Sequence, residues 1–118
     1  MARHIESRLQ RACVKYFRYQ YPGMARLCFA VPNGGFRSGH EASIMQGEGV
    51  TPGVSDLVFL KSNAQYSSLC IEFKTDDGRQ SEYQKDWQEL VEKHGNKYVI
   101  CRSLEQFIDE ITMYLKSK

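Results

Sequence analysis

Two apolar runs with charges set inside them constrain this chain more than any other feature. They are Gly53-Val54-Ser55-Asp56-Leu57-Val58-Phe59-Leu60 and Leu69-Cys70-Ile71-Glu72-Phe73-Lys74. Segments this short and this rich in Val, Ile, Leu and Phe read as strands. Side chains alternate across a strand, so Glu72 and Lys74 leave by one face while Ile71 and Phe73 leave by the other. Each strand therefore needs one face in a core and the other able to hold ions. Pairing through a turn around Ser62, Asn63 and Ala64 brings Asp56 beside Glu72, so two carboxylates and one ammonium meet within a few ångströms. That set of groups can bind a divalent cation and hydrolyse a phosphodiester.

The plainer reading is a cross-strand ion pair on a solvated sheet face. Such a pair needs only Glu72 and Lys74, contributes under about 1 kcal/mol, and leaves Asp56 unexplained. Glu72-Phe73-Lys74 is also the only acid-x-Lys tripeptide in the sequence.

The 118 residues, 42% of them hydrophobic, form one domain over 1–118. No apolar signal segment opens the chain and no run approaches a membrane span, which leads us to expect a cytoplasmic protein with no membrane contact. Cys13, Cys28, Cys70 and Cys101 have no CxxC spacing and sit in apolar contexts, as small buried hydrophobes do in a reducing compartment. The net charge of +2 hides an asymmetry: residues 1–40 hold seven Lys/Arg against Glu6 alone, while 41–118 hold nine Lys/Arg and thirteen acids. The basic third is the expected nucleic-acid surface.

Within it, His4 to Gln20 has Ile5, Leu9, Ala12, Cys13, Tyr16 and Phe17 at helical spacing, with Arg8, Arg11, Lys15 and Arg18 in a stripe on the opposite side. Glu6 points between Cys13 and Phe17, inside the apolar arc, where a carboxylate needs a cation or metal. At a frayed helix start it would instead turn to solvent. Arg26 to Val31 reads as a short strand ended by Pro32-Asn33-Gly34-Gly35. The segment from Asn33 to Gly53 holds six of the nine glycines, with one helical turn around Glu41 to Met45. It reads as a flap whose Asn33, Arg37 and His40 can touch phosphates, or as a plain surface loop. No Gly-Lys-Ser/Thr follows the glycines, so no nucleotide cofactor is expected. Ser81-Glu82-Tyr83-Gln84 opens a helix with a capping box, and Tyr83, Trp87, Leu90 and Val91 are expected on its buried face. Lys97 to Cys101 supplies a last strand. A helix from Ser103 follows, with Leu104, Phe107, Ile108, Ile111 and Leu115 toward the core.

Glu6, the glycine-bounded Gly47-Glu48-Gly49-Val50-Thr51-Pro52-Gly53-Val54-Ser55-Asp56-Leu57, then Glu72-Phe73-Lys74 and Gln84 together resemble the motif series of the PD-(D/E)xK nucleases. More narrowly, they resemble stand-alone VRR-NUC domains of phages and bacteria. Ser55 stands where that family usually has proline, and no Val-Arg-Arg tripeptide is present. Periodicity alone supports a mixed α/β sandwich; the resemblance implies a restriction-endonuclease-like α/β core in α-β-β-β-α-β order, a mixed sheet flanked by helices. It further implies Asp56, Glu72, Lys74, Glu6 and Gln84 as catalytic residues. Mg²⁺ or Mn²⁺ would be held by Asp56, Glu72, the Phe73 carbonyl and Glu6, and cleavage would leave a 5′-phosphate and a 3′-hydroxyl. The sequence explains Gln84 equally well as a helix cap. The expected partner is DNA, branched as in a four-way (Holliday) junction or a flap, acted on by a homodimer. The contrasting reading is a catalytically idle nucleic-acid-binding module of the same fold, although two clustered carboxylates repel phosphate and serve a pure binder poorly.

Overall fold

The computed structural model describes residues 2–32 and 39–118, with side chains from Ile5 onward. Asn33 and Arg37 lie outside the described residues. The amphipathic first segment forms α1 (Ala2–Gln20), burying Cys13 and Phe17. Pro22 then fixes the first turn of a 3-10 helix, Pro22–Leu27, so the strand expected from Arg26 begins only at Cys28 and β1 is Cys28–Ala30. The glycine-rich region is more helical than one turn, with α2 spanning Gly39–Gly47. The remaining elements are β2 (Leu57–Phe59), β3 (Leu69–Phe73), α3 (Glu82–Lys93), β4 (Lys97–Cys101) and α4 (Leu104–Lys116).

The four strands form one mixed sheet in the order β1-β2-β3-β4, antiparallel except for the parallel β3/β4 pair. The hairpin between β2 and β3 turns where the sequence places it. Asn63 Oδ1 accepts from the Gln65 and Tyr66 amides at 2.9 and 2.8 Å, an Asx turn that sets the register Leu57↔Ile71.

Alternation gives the sheet two unlike faces. On one, Leu57, Phe59, Ile71 and Phe73 are fully buried under α1 and α4, with Phe17 edge-on to Phe59 at 5.0 Å and Phe73 against Phe107 at 6.1 Å. All four cysteines are buried free thiols, and burial pushes those of Cys13, Cys28 and Cys101 up to about 12. The other face carries Glu72 and is covered by α3 only near β4, where Trp87 meets Tyr98 at 6.1 Å.

Here the sequence expectation for α3 needs correction. Trp87 and Val91 are half-buried, but Tyr83 and Leu90 remain 65% and 55% exposed. The helix leans on a sheet edge rather than across the sheet, so only a narrow stripe of it finds a partner. In α4 the buried residues are Phe107, Ile111 and Tyr114, with Leu104, Ile108 and Leu115 half-buried around them. No helix among the described residues is long and apolar enough to cross a membrane.

Candidate active site

The site forms where β2 and β3 separate. Continuing the register one step past Leu57↔Ile71 sets Asp56 opposite Glu72. At the next step the Phe73 amide donates to Asp56 Oδ2 at 2.7 Å, so a side chain takes over from the main-chain ladder. On the far side of β3, the Lys74 amide donates to the Cys101 carbonyl of β4. Ser55 is fully buried and satisfied by donating to the Leu57 carbonyl at 3.0 Å.

Lys74 follows on the same face as Glu72, its Nζ 3.9 Å from Glu72 Oε2. Gln84 joins them from the first turn of α3. Its Nε2 donates to Glu72 Oε2 at 2.9 Å, and its Oε1 accepts from Lys74 Nζ at 2.8 Å and from the Ser81 amide at 2.9 Å. The Ser81 hydroxyl in turn accepts from the Gln84 amide, which completes the capping box. The helix cap and the contact with Glu72 and Lys74 are therefore made by one residue, Gln84. Gly53 sets the approach of this helix. It has φ +82, and a Cβ there would lie 2.4 Å from the Tyr83 carbonyl oxygen, so the loop leading to Asp56 packs directly on the turn that carries Gln84.

The electrostatics are unbalanced. Glu72 is 3% exposed; burial first, and then the Asp56 charge, push its carboxyl up to about 8 against the pull of Lys74. Asp56 is also raised, by burial above all, with the Phe73 amide opposing. Glu72 Oε1 is a buried oxygen with no hydrogen-bond partner.

That orphan oxygen is what a divalent cation would satisfy, and the donor set of two carboxylates with an adjacent main-chain carbonyl suits a hard ion. Among the described residues, no three His, Cys, Asp or Glu side chains converge closely enough to ligate a metal by themselves. Glu6 is thus not brought to Asp56 and Glu72 as a third ligand. It is half-buried, its charge adds to the upward push on both carboxyls, and it lines a neighbouring cavity of about 420 Å³ with Lys74, Thr75, Asp77 and Arg102.

Arg102 is a residue that sequence reasoning missed. Its guanidinium donates to the Thr75, Asp76 and Gly78 carbonyls and so pins the turn that follows Lys74. The parallel register Phe73↔Cys101 sets it one step beyond, opposite Lys74, which a strand-pairing argument would have exposed. The remaining sequence candidates stand apart from the carboxylates. Arg8, Arg11, Lys15 and Arg18 are all exposed on α1, and the last three line a separate cavity. His40 is exposed in the first turn of α2.

Comparison with known proteins agrees with this architecture. The family model for the VRR-NUC domain matches residues 5–105. A solved structure described as a VRR_NUC domain protein superposes with a TM-score of 0.82 at 22% sequence identity, over 96% of this chain and 89% of that one, a likeness of fold. No significant match is found among curated proteins. Fold and family thus define a nuclease-type domain built on a mixed four-stranded sheet flanked by helices. The chain belongs to the VRR-NUC domain family.

Proposed function

We propose that this domain is a metal-dependent endodeoxyribonuclease that hydrolyses phosphodiesters in branched DNA, with four-way junctions as its preferred substrate and a homodimer as its active form. The observation that carries the reading is Glu72: a carboxylate 3% exposed, beside a second carboxylate, with one oxygen unpartnered. Burying such a group is strongly unfavourable unless a cation completes it.

In this reading Asp56, Glu72 and the Phe73 carbonyl hold Mg²⁺ or Mn²⁺, with waters completing the shell. The bound ion supplies Lewis-acid polarisation of the scissile phosphate and lowers the pKa of water. Lys74 positions the attacking water or stabilises charge on the pentavalent phosphorus. Gln84 holds Lys74 and Glu72 in fixed relation, since its two amide atoms bond one each. Glu6, which lines the adjoining cavity with Lys74, would act at a distance from the two carboxylates, orienting the water or holding a second ion. Products carry a 5′-phosphate and a 3′-hydroxyl. The exposed stripe Arg8, Arg11, Lys15 and Arg18, together with Asn33, Arg37 and His40, contacts phosphates of the flanking duplex.

Symmetric resolution of a junction needs two nicks, which two protomers related by a two-fold axis supply at fixed separation. Tyr19, 86% exposed on α1, offers aromatic surface for such an interface. The test incubates the protein with labelled duplex, flap, four-way-junction and RNA substrates, each with Mg²⁺, Mn²⁺ or a chelator. Junction nicking that the chelator abolishes supports the reading. Binding without cleavage under every condition returns the domain to an idle nucleic-acid module, and equal cutting of flaps and junctions removes the resolvase specificity.

A further inference from the structure

On the sheet face that carries Asp56 and Glu72, an exposed apolar strip lies toward β1, beyond the half-buried Val58 of β2 and the buried Cys70 of β3. In the register of β1 and β2, Phe29 pairs with Val58, and both leave by the face opposite the buried Cys28, Leu57 and Phe59. The ladder runs on in both directions. The Val31 amide donates to the Asp56 carbonyl at 3.0 Å, and the Leu60 amide donates to the Leu27 carbonyl at 2.9 Å. Phe29 is 40% exposed, Leu27 39% and Leu60 56%. An aromatic ring left this open at a sheet edge has a free face.

Its position gives that face a meaning. Asp56 lies two residues before Val58, which makes it the diagonal neighbour of Phe29, with Cβ atoms about 7–8 Å apart in such a pairing. The ring is therefore within one nucleotide of any phosphate held at the carboxylates. The strip itself presents no charged side chain, so it cannot serve the phosphates. Arg26 and Lys61, both exposed, adjoin Leu27 and Leu60 in sequence. Carboxylates with an aromatic platform beside them on one face suit a phosphate and the base next to it.

We propose that Phe29 is the platform of a stacking subsite for an unpaired nucleobase next to the scissile phosphate, with Val58 and Leu60 as its apolar surround. The proposal rests on the nuclease reading of Asp56 and Glu72. It adds a reason for preferring branched DNA: a base inside a continuous duplex is stacked on both sides and shows no free face, whereas a base at a branch point or bulge does.

The test uses the full chain and DNA carrying 2-aminopurine, a base whose fluorescence falls when it stacks, as an unpaired nucleotide in an otherwise paired duplex. Quenching on binding is expected for the wild type. It should be lost in Phe29→Ala, with about tenfold weaker binding of the bulged DNA, and restored in Phe29→Trp. The bulged-over-paired ratio of kcat/KM should fall by a similar factor in Phe29→Ala. Quenching that is equal in wild type and a folded Phe29→Ala variant overturns the subsite. So does a Phe29→Ala variant that changes only the oligomeric state, which would make the strip a contact between copies of this chain. Quenching that depends on Phe29 in a protein that cleaves nothing supports the subsite and instead refutes the nuclease reading.

Discussion

The two faces of the sheet are made by the same strands and obey opposite rules. On the core face, Leu57, Phe59, Ile71 and Phe73 are completely enclosed, and their stability follows from area removed from water and from aromatic contacts at 5.0 and 6.1 Å. On the other face, one residue along in each strand, Asp56 and Glu72 are desolvated beside each other and their carboxyls are pushed upward. Beyond them Phe29 is left half-open. A period of two lets five residues, Leu69–Phe73, serve as core and as the wall of the candidate site at once. Stability concentrated on one face tolerates electrostatic strain on the other.

That contrast breaks if variants on the two faces behave alike. The largest effect is expected from Asp56→Asn and Lys74→Ala, which should each lower junction nicking by roughly 10³-fold or more while leaving the circular dichroism spectrum and unfolding midpoint close to wild type. Phe59→Ala, on the core face of the strand that follows Asp56, should do the reverse. It is expected to lower unfolding free energy by about 3–5 kcal/mol in urea titrations, with turnover per folded molecule retained.

A smaller effect sharpens the electrostatic half of the comparison. The Glu72 carboxyl titrates at about 8 in the folded chain against an ordinary 4.5, so the folded state holds the extra proton. The stability this provides is complete below pH about 4.5 and is lost as pH rises through about 8. In chelator, Glu72→Gln should therefore overtake the wild type at pH 8.5, by about 1–3 kcal/mol, and Mg²⁺ should stabilise only the wild type there. Equal pH profiles for the two proteins would contradict the strained carboxylate. The smallest effect concerns α1: Arg11→Glu with Lys15→Glu should weaken junction binding and flatten its salt dependence, by about 0.9 in log–log slope for each phosphate that is no longer neutralised. An unchanged slope would make the stripe a solvated helix face.

Much of this division is legible in the sequence because it rests on local rules. Alternation placed Glu72 with Lys74, a turn around Ser62, Asn63 and Ala64 brought Asp56 beside Glu72, and Ser81 with Gln84 marked the start of α3. What could not be read depends on where elements lean. Tyr83 and Leu90 sit on a helical stripe that suits burial, yet the helix lies along the β4 edge, so they are exposed. Arg102 follows a strand with no motif around it, and its three carbonyl partners come from a turn 24 to 27 residues earlier. Phe29 looks like a core residue in a three-residue strand, and only the sheet order, which makes β1 an edge, leaves its ring open.

The most direct measurement is the single-turnover rate at which Glu72→Gln nicks a four-way junction in Mn²⁺, set beside the wild type and beside the thermal unfolding of both. A rate lower by roughly 10³-fold, in a protein that in chelator is at least as stable as the wild type at pH 8.5, is the expected result. A folded Glu72→Gln variant that turns over near the wild-type rate would contradict the assignment of this sheet face as the hydrolytic centre.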